Sequence, residues 1–165
     1  MKILAIGDFH GKFPNKLLKL AKSKEIDLIL STGDFADTSE FREIEFKHWE
    51  EVKKKSLLKV IGKTRYFSLL KKQSLSQERI LKTLSKLKKP VITIYGNSDL
   101  LNKEANKFSI KGIESQCKKF NIKLLKTNFT SIENITIAGF SGYRGAMSKG
   151  LTEISLKQKT KILNY

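Results

Sequence analysis

Three short apolar segments, each ended by a glycine, constrain the fold more than any other feature of the sequence. Residues 2–7, 27–33 and 90–96 carry apolar side chains at consecutive positions rather than at alternate ones. Consecutive apolar residues are typical of strands buried on both faces, which occur in parallel sheets covered by helices. Between the first two segments, residues 15–24 follow Pro14 and place leucines on one helical face. The sequence therefore predicts an α/β fold built on a parallel sheet.

A long polar segment, about residues 39–89, separates the second predicted strand from the third. The spacing of Phe41, Ile44, Trp49 and Val52 predicts one amphipathic helix. A second helix is predicted to begin at Leu57 and to break at Gly62. For a third, Ser76 is a candidate N-cap. The sequence thus predicts a helical insertion within a single domain that spans residues 1–165.

The part of the chain after the third strand predicts further alternation of helix and strand. Residues 110–120 have helical spacing, and residues 122–125 form another apolar run. Residues 128–132 and 135–139 predict a hairpin that turns at Glu133 and Asn134. A last helix is predicted near residues 155–163.

The charge and composition limit the function classes. Only four of the 33 basic residues are arginines, although the net charge is +17. A polyanionic partner such as nucleic acid is one interpretation of this charge, and lysines spread over solvated helix faces are the other. No apolar run approaches the roughly 18 residues of a membrane span. With a single cysteine, Cys117, and no secretory segment, we expect a cytoplasmic protein that is not bound to a membrane.

Side chains that bind cations follow each of the three glycine-terminated strands. Asp8 and His10 follow the first, Asp34 the second and Asn97 the third. The carboxyl ends of parallel strands meet at one edge of a sheet, so these groups are expected to lie close together. Carboxylate, imidazole and amide oxygen together suit divalent ions. The sequence therefore predicts a metal centre at this edge, where the glycines leave room for tight turns and for a phosphate oxygen.

The order D-x-H, G-D and G-N-x-D resembles the calcineurin-like metallophosphoesterase superfamily over residues 1 to about 145. This resemblance implies a β-sandwich flanked by helices and a hydrolase of phosphomonoesters or phosphodiesters. It also implies two divalent ions, Mn, Mg, Fe or Zn. The long insertion and residues 135–142 are especially similar to predicted phosphoesterases related to cyclic-nucleotide phosphodiesterases.

The resemblance assigns roles by position. Asp8 and His10 would bind the first ion, Asp34 would bridge both ions, and Asn97 would bind the second. Asn97, Ser98 and Asp99 are the candidate catalytic residues. Outside these motifs, Arg144 is a candidate for binding the substrate phosphate, with Tyr143 beside it, and an ordinary solvated loop is the alternative. His48 is either a substitute proton donor or a half-buried surface histidine.

Two departures from the family pattern qualify these roles. Ser98 occupies a position that often carries histidine, and serine cannot act as a strong acid near neutral pH. The chain also has no histidine after His48, whereas the family commonly adds histidines downstream. We therefore expect an N-terminal part of a longer enzyme, a split enzyme completed by another chain, or a degenerate homologue. The expected partners are a phosphoester substrate and either a complementing chain or a second copy. The alternative function is a half-domain that binds a protein or nucleic acid.

Overall fold

A four-stranded parallel sheet forms the centre of the computed structural model, which describes residues 1–141. The strand order is β1, β2, β3, β4, so every connection is a crossover that carries helical structure. An antiparallel hairpin, β5 and β6, follows the sheet. The strands are β1 Ile3–Ile6, β2 Leu28–Ser31, β3 Val91–Thr93, β4 Lys123–Leu124, β5 Thr127–Ile132 and β6 Ile135–Phe140. The predicted parallel sheet and the hairpin are confirmed, whereas Tyr143, Arg144 and the predicted final helix lie outside the described residues.

Seven α-helices and one short 3-10 helix connect the strands within residues 1–141. Four of them, α2 to α5, lie between β2 and β3, where the sequence predicts the insertion. The helices are α1 Asn15–Ala21, α2 Ser39–Lys47, α3 Trp49–Val52, α4 Leu57–Ile61, α5 Lys63–Ser85, α6 Asn102–Ala105 and α7 Ile113–Lys119, with the 3-10 helix Asn106–Phe108 after α6.

Two details of the predicted insertion are wrong. The single helix predicted across residues 41–52 is two helices, because the backbone leaves helical geometry at His48 (φ −108°, ψ 26°). Ser76 is not an N-cap but lies inside the 23-residue helix α5. Its hydroxyl donates to the Gln73 carbonyl and accepts the Asp37 N–H at 2.9 Å, so it ties the segment just before α2 to α5 instead of starting a helix.

The two faces of the sheet are covered differently. On one face, Ile6, Ile29 and Val91 pack against helices α1, α5 and α7 in the main core. On the other face, Leu28, Ile92 and Leu125 pack against the hairpin through Ile132 and Ile137. A sheet with helices on one side and strands on the other agrees with the expected metallophosphoesterase-like architecture.

Strand β1 differs from the prediction that all three strands are buried on both faces. It is one of the two edge strands of the sheet, and Ile3 and Ala5 are exposed. Leu4 and Ile6 alternate with them and belong to the helix-covered core. The apolar run at residues 3–6 therefore has one buried face, as the period of a strand requires when only one side is covered.

Buried glutamines fix α5 beside the loop that follows β3. Gln77 and Gln116 are both fully buried, and the Gln77 amide donates to Gln116 Oε1 at 2.8 Å. Gln77 Oε1 accepts the Leu100 N–H at 2.9 Å. Because buried amides cost free energy unless they are paired, these bonds specify one position for α5. In this way α5, which is part of the insertion, supports the loop after β3 at the edge of the sheet where the predicted metal site lies.

The single thiol of the chain, on Cys117, has a structural role. Cys117 on α7 is 1% exposed, and burial raises its pKa to about 12. A protonated, buried thiol is a poor nucleophile, so Cys117 serves as a small apolar core residue. Over residues 1–141, none of the helices combines the length and hydrophobicity that crossing a bilayer requires.

Candidate metal centre

The loops after β1 and β2 continue side by side beyond the sheet. Backbone N–H groups of the first loop donate to carbonyls of the second: Asp8 to Gly33 at 3.2 Å, His10 to Asp34 at 2.9 Å and Gly11 to Phe35 at 2.8 Å. Phe9, between the two candidate ligands, is 4% exposed and stacks on Phe35 with ring centroids 5.4 Å apart. The buried ring directs its neighbours Asp8 and His10 away from the core.

The three candidate ligands share an uncommon backbone conformation. Asp8, His10 and Asp34 have φ values of 54°, 43° and 56°, in the left-handed region that non-glycine residues rarely adopt. Such a conformation costs on the order of 1 kcal/mol or more per residue and persists only where surrounding contacts impose it. Here the hydrogen bonds between the two loops impose it and bring the three side chains to one place.

The ligand atoms of Asp8, His10 and Asp34 form a compact group. One atom from each residue lies within 4.8 Å of the other two, and His10 Nε2 is 3.7 Å from Asp8 Oδ1. Two ligands of one transition-metal ion, bonded at about 2.1 Å each, lie at most ~4.2 Å apart. Small side-chain rotations therefore suffice to close this group on an ion. The mixed oxygen and nitrogen donors fit a transition metal such as Mn, Fe or Zn.

Asp34 is also held from the loop after β3. Its Oδ1 accepts the Ser98 N–H at 2.7 Å, and a Cβ added to Gly96 would overlap that oxygen. Gly33 is equally constrained, because it has φ +87° and a Cβ there would overlap the Gly96 backbone. The glycines thus leave room for the neighbouring loop and the Asp34 carboxylate, whereas the sequence analysis assigned that space to a phosphate oxygen.

Replacing Gly96 by Ala is expected to weaken Mn²⁺ binding at least tenfold. The backbone of Gly96 is outside the left-handed region, so alanine suits its conformation, but the new methyl group would displace the Asp34 carboxylate. Isothermal titration with Mn²⁺ measures the effect. The control is Gly62→Ala, which strains the backbone at φ +78° but has nothing within 4 Å of the added Cβ, so it should lower stability without changing Mn²⁺ affinity. Equal affinity in Gly96→Ala and the native protein would contradict this account of Asp34.

Asp99 joins the loops after β2 and β3. It is 6% exposed, and it accepts N–H groups of Asp34 at 2.9 Å, Phe35 at 2.7 Å and Gly96 at 2.9 Å. Burial raises the pKa of Asp99 to about 7, whereas the three N–H donors favour its charged form. From the sequence, Asp99 is a candidate catalytic residue, whereas its contacts are those of a residue that positions Asp34.

Asn97 lies between Gly96 and Ser98, which both lie against the Asp34 carboxylate. It is exposed, while Ser98 is 2% exposed. This placement puts Asn97 at the same edge of the sheet as Asp8, His10 and Asp34, as the strand order predicts. Its role as a ligand of a second ion stays a prediction.

Comparison with known proteins identifies the family of the chain. Residues 1–153 match the family model described as calcineurin-like phosphoesterase. The chain belongs to this family. Neither the curated proteins nor the solved structures gave a significant match. Membership supports a metal-dependent hydrolase of phosphoesters, and it leaves the predicted relation to cyclic-nucleotide phosphodiesterases untested.

The helical insertion of this phosphoesterase domain contributes a residue that the sequence analysis missed. Arg42 on α2 donates from Nη2 to Ser98 Oγ at 3.4 Å. Nothing in the local sequence distinguishes Arg42 from the other arginines, because its position depends on how α2 packs on α5. His48, by contrast, is half-buried and its Nδ1 lies 2.9 Å from Glu51 Oε1, an ordinary pair within the insertion.

A cavity of about 740 Å³ lies along the insertion, and none of the residues that line it is a candidate metal ligand. It runs along α5 from Asp37, and Leu75 and Phe120 contribute apolar surface. A Cβ added to Gly11 would lie 2.7 Å from Asp37 Cβ, so the mouth of the cavity adjoins the loop that carries His10. Hydrogen bonds from Ser39 lower the pKa of Asp37, and Lys12 and His10 add to this effect. The cavity therefore approaches the candidate metal centre only on the side of His10.

Proposed function

We propose that this protein is a metal-dependent hydrolase of phosphomonoesters or phosphodiesters with a binuclear centre at the carboxyl edge of its sheet. The observation that carries the proposal is the convergence of Asp8, His10 and Asp34, whose ligand atoms lie within 4.8 Å of one another. Three residues from two strands meet there in left-handed conformations that neighbouring loops impose. Membership of the calcineurin-like phosphoesterase family supports the reaction class.

Each candidate ligand has its own proposed role in binding the ions. Asp8 and His10 would hold the first ion, Asp34 would hold both ions, and Asn97 would hold the second. A carboxylate offers about four lone-pair sites, so the bond from the Ser98 N–H leaves Asp34 able to bridge. Divalent ions at this place supply Lewis acidity toward phosphoryl oxygens and lower the pKa of water.

The other residues of the site, Asp99 and Ser98, position neighbouring groups and take no direct part in the reaction. Asp99 fixes the loops that carry Asp34 and Asn97, through its three N–H partners. The Ser98 hydroxyl is buried and cannot protonate a leaving group near neutral pH. Assistance to the leaving group would therefore come from the metals, from water or from another group.

Two ions need more ligands than these four side chains provide. The remaining positions would be filled by water or by further protein groups, and another copy or a complementing chain is the partner that we propose for them. The buried, free Cys117 fits a reducing, cytoplasmic location.

Hydrolysis of p-nitrophenyl phosphate and bis-p-nitrophenyl phosphate tests the proposal. The purified protein is stripped with a chelator, and release of p-nitrophenol is measured before and after addition of Mn²⁺. We expect activity on at least one ester only with the metal, and its loss when chelator is added again. Rates equal to those of Mn²⁺ in buffer for both esters contradict the proposal. Salt-sensitive binding of RNA by such an inactive protein would favour the alternative of a nucleic-acid-binding module.

A further inference from the structure

Arg42 places a guanidinium group beside the candidate metal centre. Its Nη2 donates to Ser98 Oγ at 3.4 Å, and the Ser98 N–H donates to Asp34 Oδ1 at 2.7 Å. Two hydrogen bonds therefore separate the guanidinium from a candidate metal-binding carboxylate. The long bond to a neutral hydroxyl uses only one of the five N–H donors of arginine.

The charge of Arg42 has no carboxylate partner among residues 1–141. Arg65, on the same insertion, differs in this respect, because its Nη2 lies 2.9 Å from Glu40 Oε1. Glu40 also pairs with Lys72 at 2.6 Å. A guanidinium without such a partner keeps its donors free for an anion, and its planar fork matches the spacing of phosphate oxygens.

Helix α5 holds both the start of α2, which carries Arg42, and Ser98, which Arg42 contacts. The Asp37 N–H, just before α2, donates to Ser76 Oγ at 2.9 Å. The Ser98 carbonyl accepts from Gln73 Nε2 at 2.8 Å. Both partners are on α5, so one helix sets the distance between the start of α2 and Ser98. An arginine on an anchored helix loses less entropy on binding than one on a free loop.

We propose that Arg42 binds a non-bridging oxygen of the substrate phosphate and is a substrate-binding residue supplied by the helical insertion. This inference rests on the proposed function, since it places the phosphate at the edge formed by Asp8, His10 and Asp34. It assigns the phosphate-binding role to α2, whereas the sequence analysis considered Arg144. It also gives the insertion a part in the reaction beyond packing.

Binding of inorganic phosphate tests the inference without relying on turnover. Isothermal titration with phosphate is carried out on the Mn²⁺-loaded native protein and on Arg42→Ala, Arg42→Lys and Arg65→Ala. We expect Arg42→Ala to weaken phosphate binding about 10- to 100-fold, as for loss of a charge-assisted hydrogen bond. Arg42→Lys should restore part of the affinity. Arg65→Ala should bind phosphate within twofold of the native protein, and Mn²⁺ affinity should be unchanged in all three variants.

The possible outcomes separate this inference from the proposed function. Phosphate affinity that is equal in Arg42→Ala and the native protein overturns the role of Arg42, even if the protein hydrolyses phosphoesters. Absence of phosphate binding in the native protein overturns it as well. Weaker binding in Arg42→Ala, together with no hydrolysis by the native protein, supports Arg42 and rejects the proposed function. If Arg42→Ala does not fold, as judged by circular dichroism, Arg42→Lys is the deciding variant. Full native phosphate affinity together with a native kcat/KM in Arg42→Lys would contradict a contact that requires the guanidinium group.

Discussion

Changing Asp34 to Asn is expected to abolish metal-dependent hydrolysis and to weaken Mn²⁺ binding by at least 100-fold. Asn keeps the shape of Asp and an oxygen that can accept the Ser98 N–H, so the loops should stay in place. It removes the negative charge and leaves one oxygen in place of two, so it cannot bridge ions as a carboxylate does. Loss of residues that merely support a ligand costs 10- to 100-fold in affinity, and loss of a bridging ligand should cost more. Titration with Mn²⁺ and hydrolysis of p-nitrophenyl esters measure the two effects.

Asp27→Asn is the matched control for Asp34→Asn. Asp27 precedes β2 and Asp34 follows it, so the same substitution is placed at opposite ends of one strand. Asp27 accepts the Lys2 N–H at 2.6 Å at the far edge of the sheet. Its variant should keep native metal affinity and activity. Equal loss in both variants, or none in Asp34→Asn, contradicts the assignment of Asp34.

Changing Asp99 to Asn is expected to destabilise the protein by about 2 kcal/mol or more. The two oxygens of Asp99 accept three backbone N–H groups, and the amide of Asn would turn an NH₂ group toward at least one of them. For a chain of this size the melting temperature should fall by about 4–8 °C. Because Asp99 positions Asp34, Mn²⁺ affinity should fall as well.

Thermal unfolding followed by circular dichroism measures this effect, with Asp27→Asn again as the control. Asp99→Ala, which removes all three acceptor contacts, should lower the melting temperature further than Asp99→Asn. A native melting temperature in both Asp99 variants would contradict the claim that this carboxylate holds the loops after β2 and β3 together.

The sheet and the candidate ligands could be predicted because they depend on local sequence. A run such as residues 28–31 is apolar at consecutive positions, and its strand ends where Gly33 permits a left-handed turn. Once the strands are parallel, their carboxyl ends share an edge, so Asp8, His10 and Asp34 meet for topological reasons. The hairpin turn at Glu133 and Asn134 is equally local.

Features that depend on packing between distant segments could not be predicted. Ser76 has the properties of an N-cap, yet α5 continues through it because apolar residues on both sides of it, including Leu70 and Ile80, remain buried along the helix. The proximity of Arg42 to Ser98 requires α2 to pack on α5, and no local pattern encodes that contact. The exposure of Ile3 follows from the position of β1 at the edge of the sheet, which depends on the order of all four strands.

Anomalous diffraction from crystals soaked in Mn²⁺ tests the central claim most directly, because it locates the ion without reference to any substrate. We predict a peak within about 2.5 Å of a carboxylate oxygen of Asp8, a ring nitrogen of His10 and a carboxylate oxygen of Asp34, and no such peak in Asp34→Asn. A map of the native protein with no peak at these three residues, or with its Mn²⁺ peaks only elsewhere, would contradict the metal centre described for this edge of the sheet.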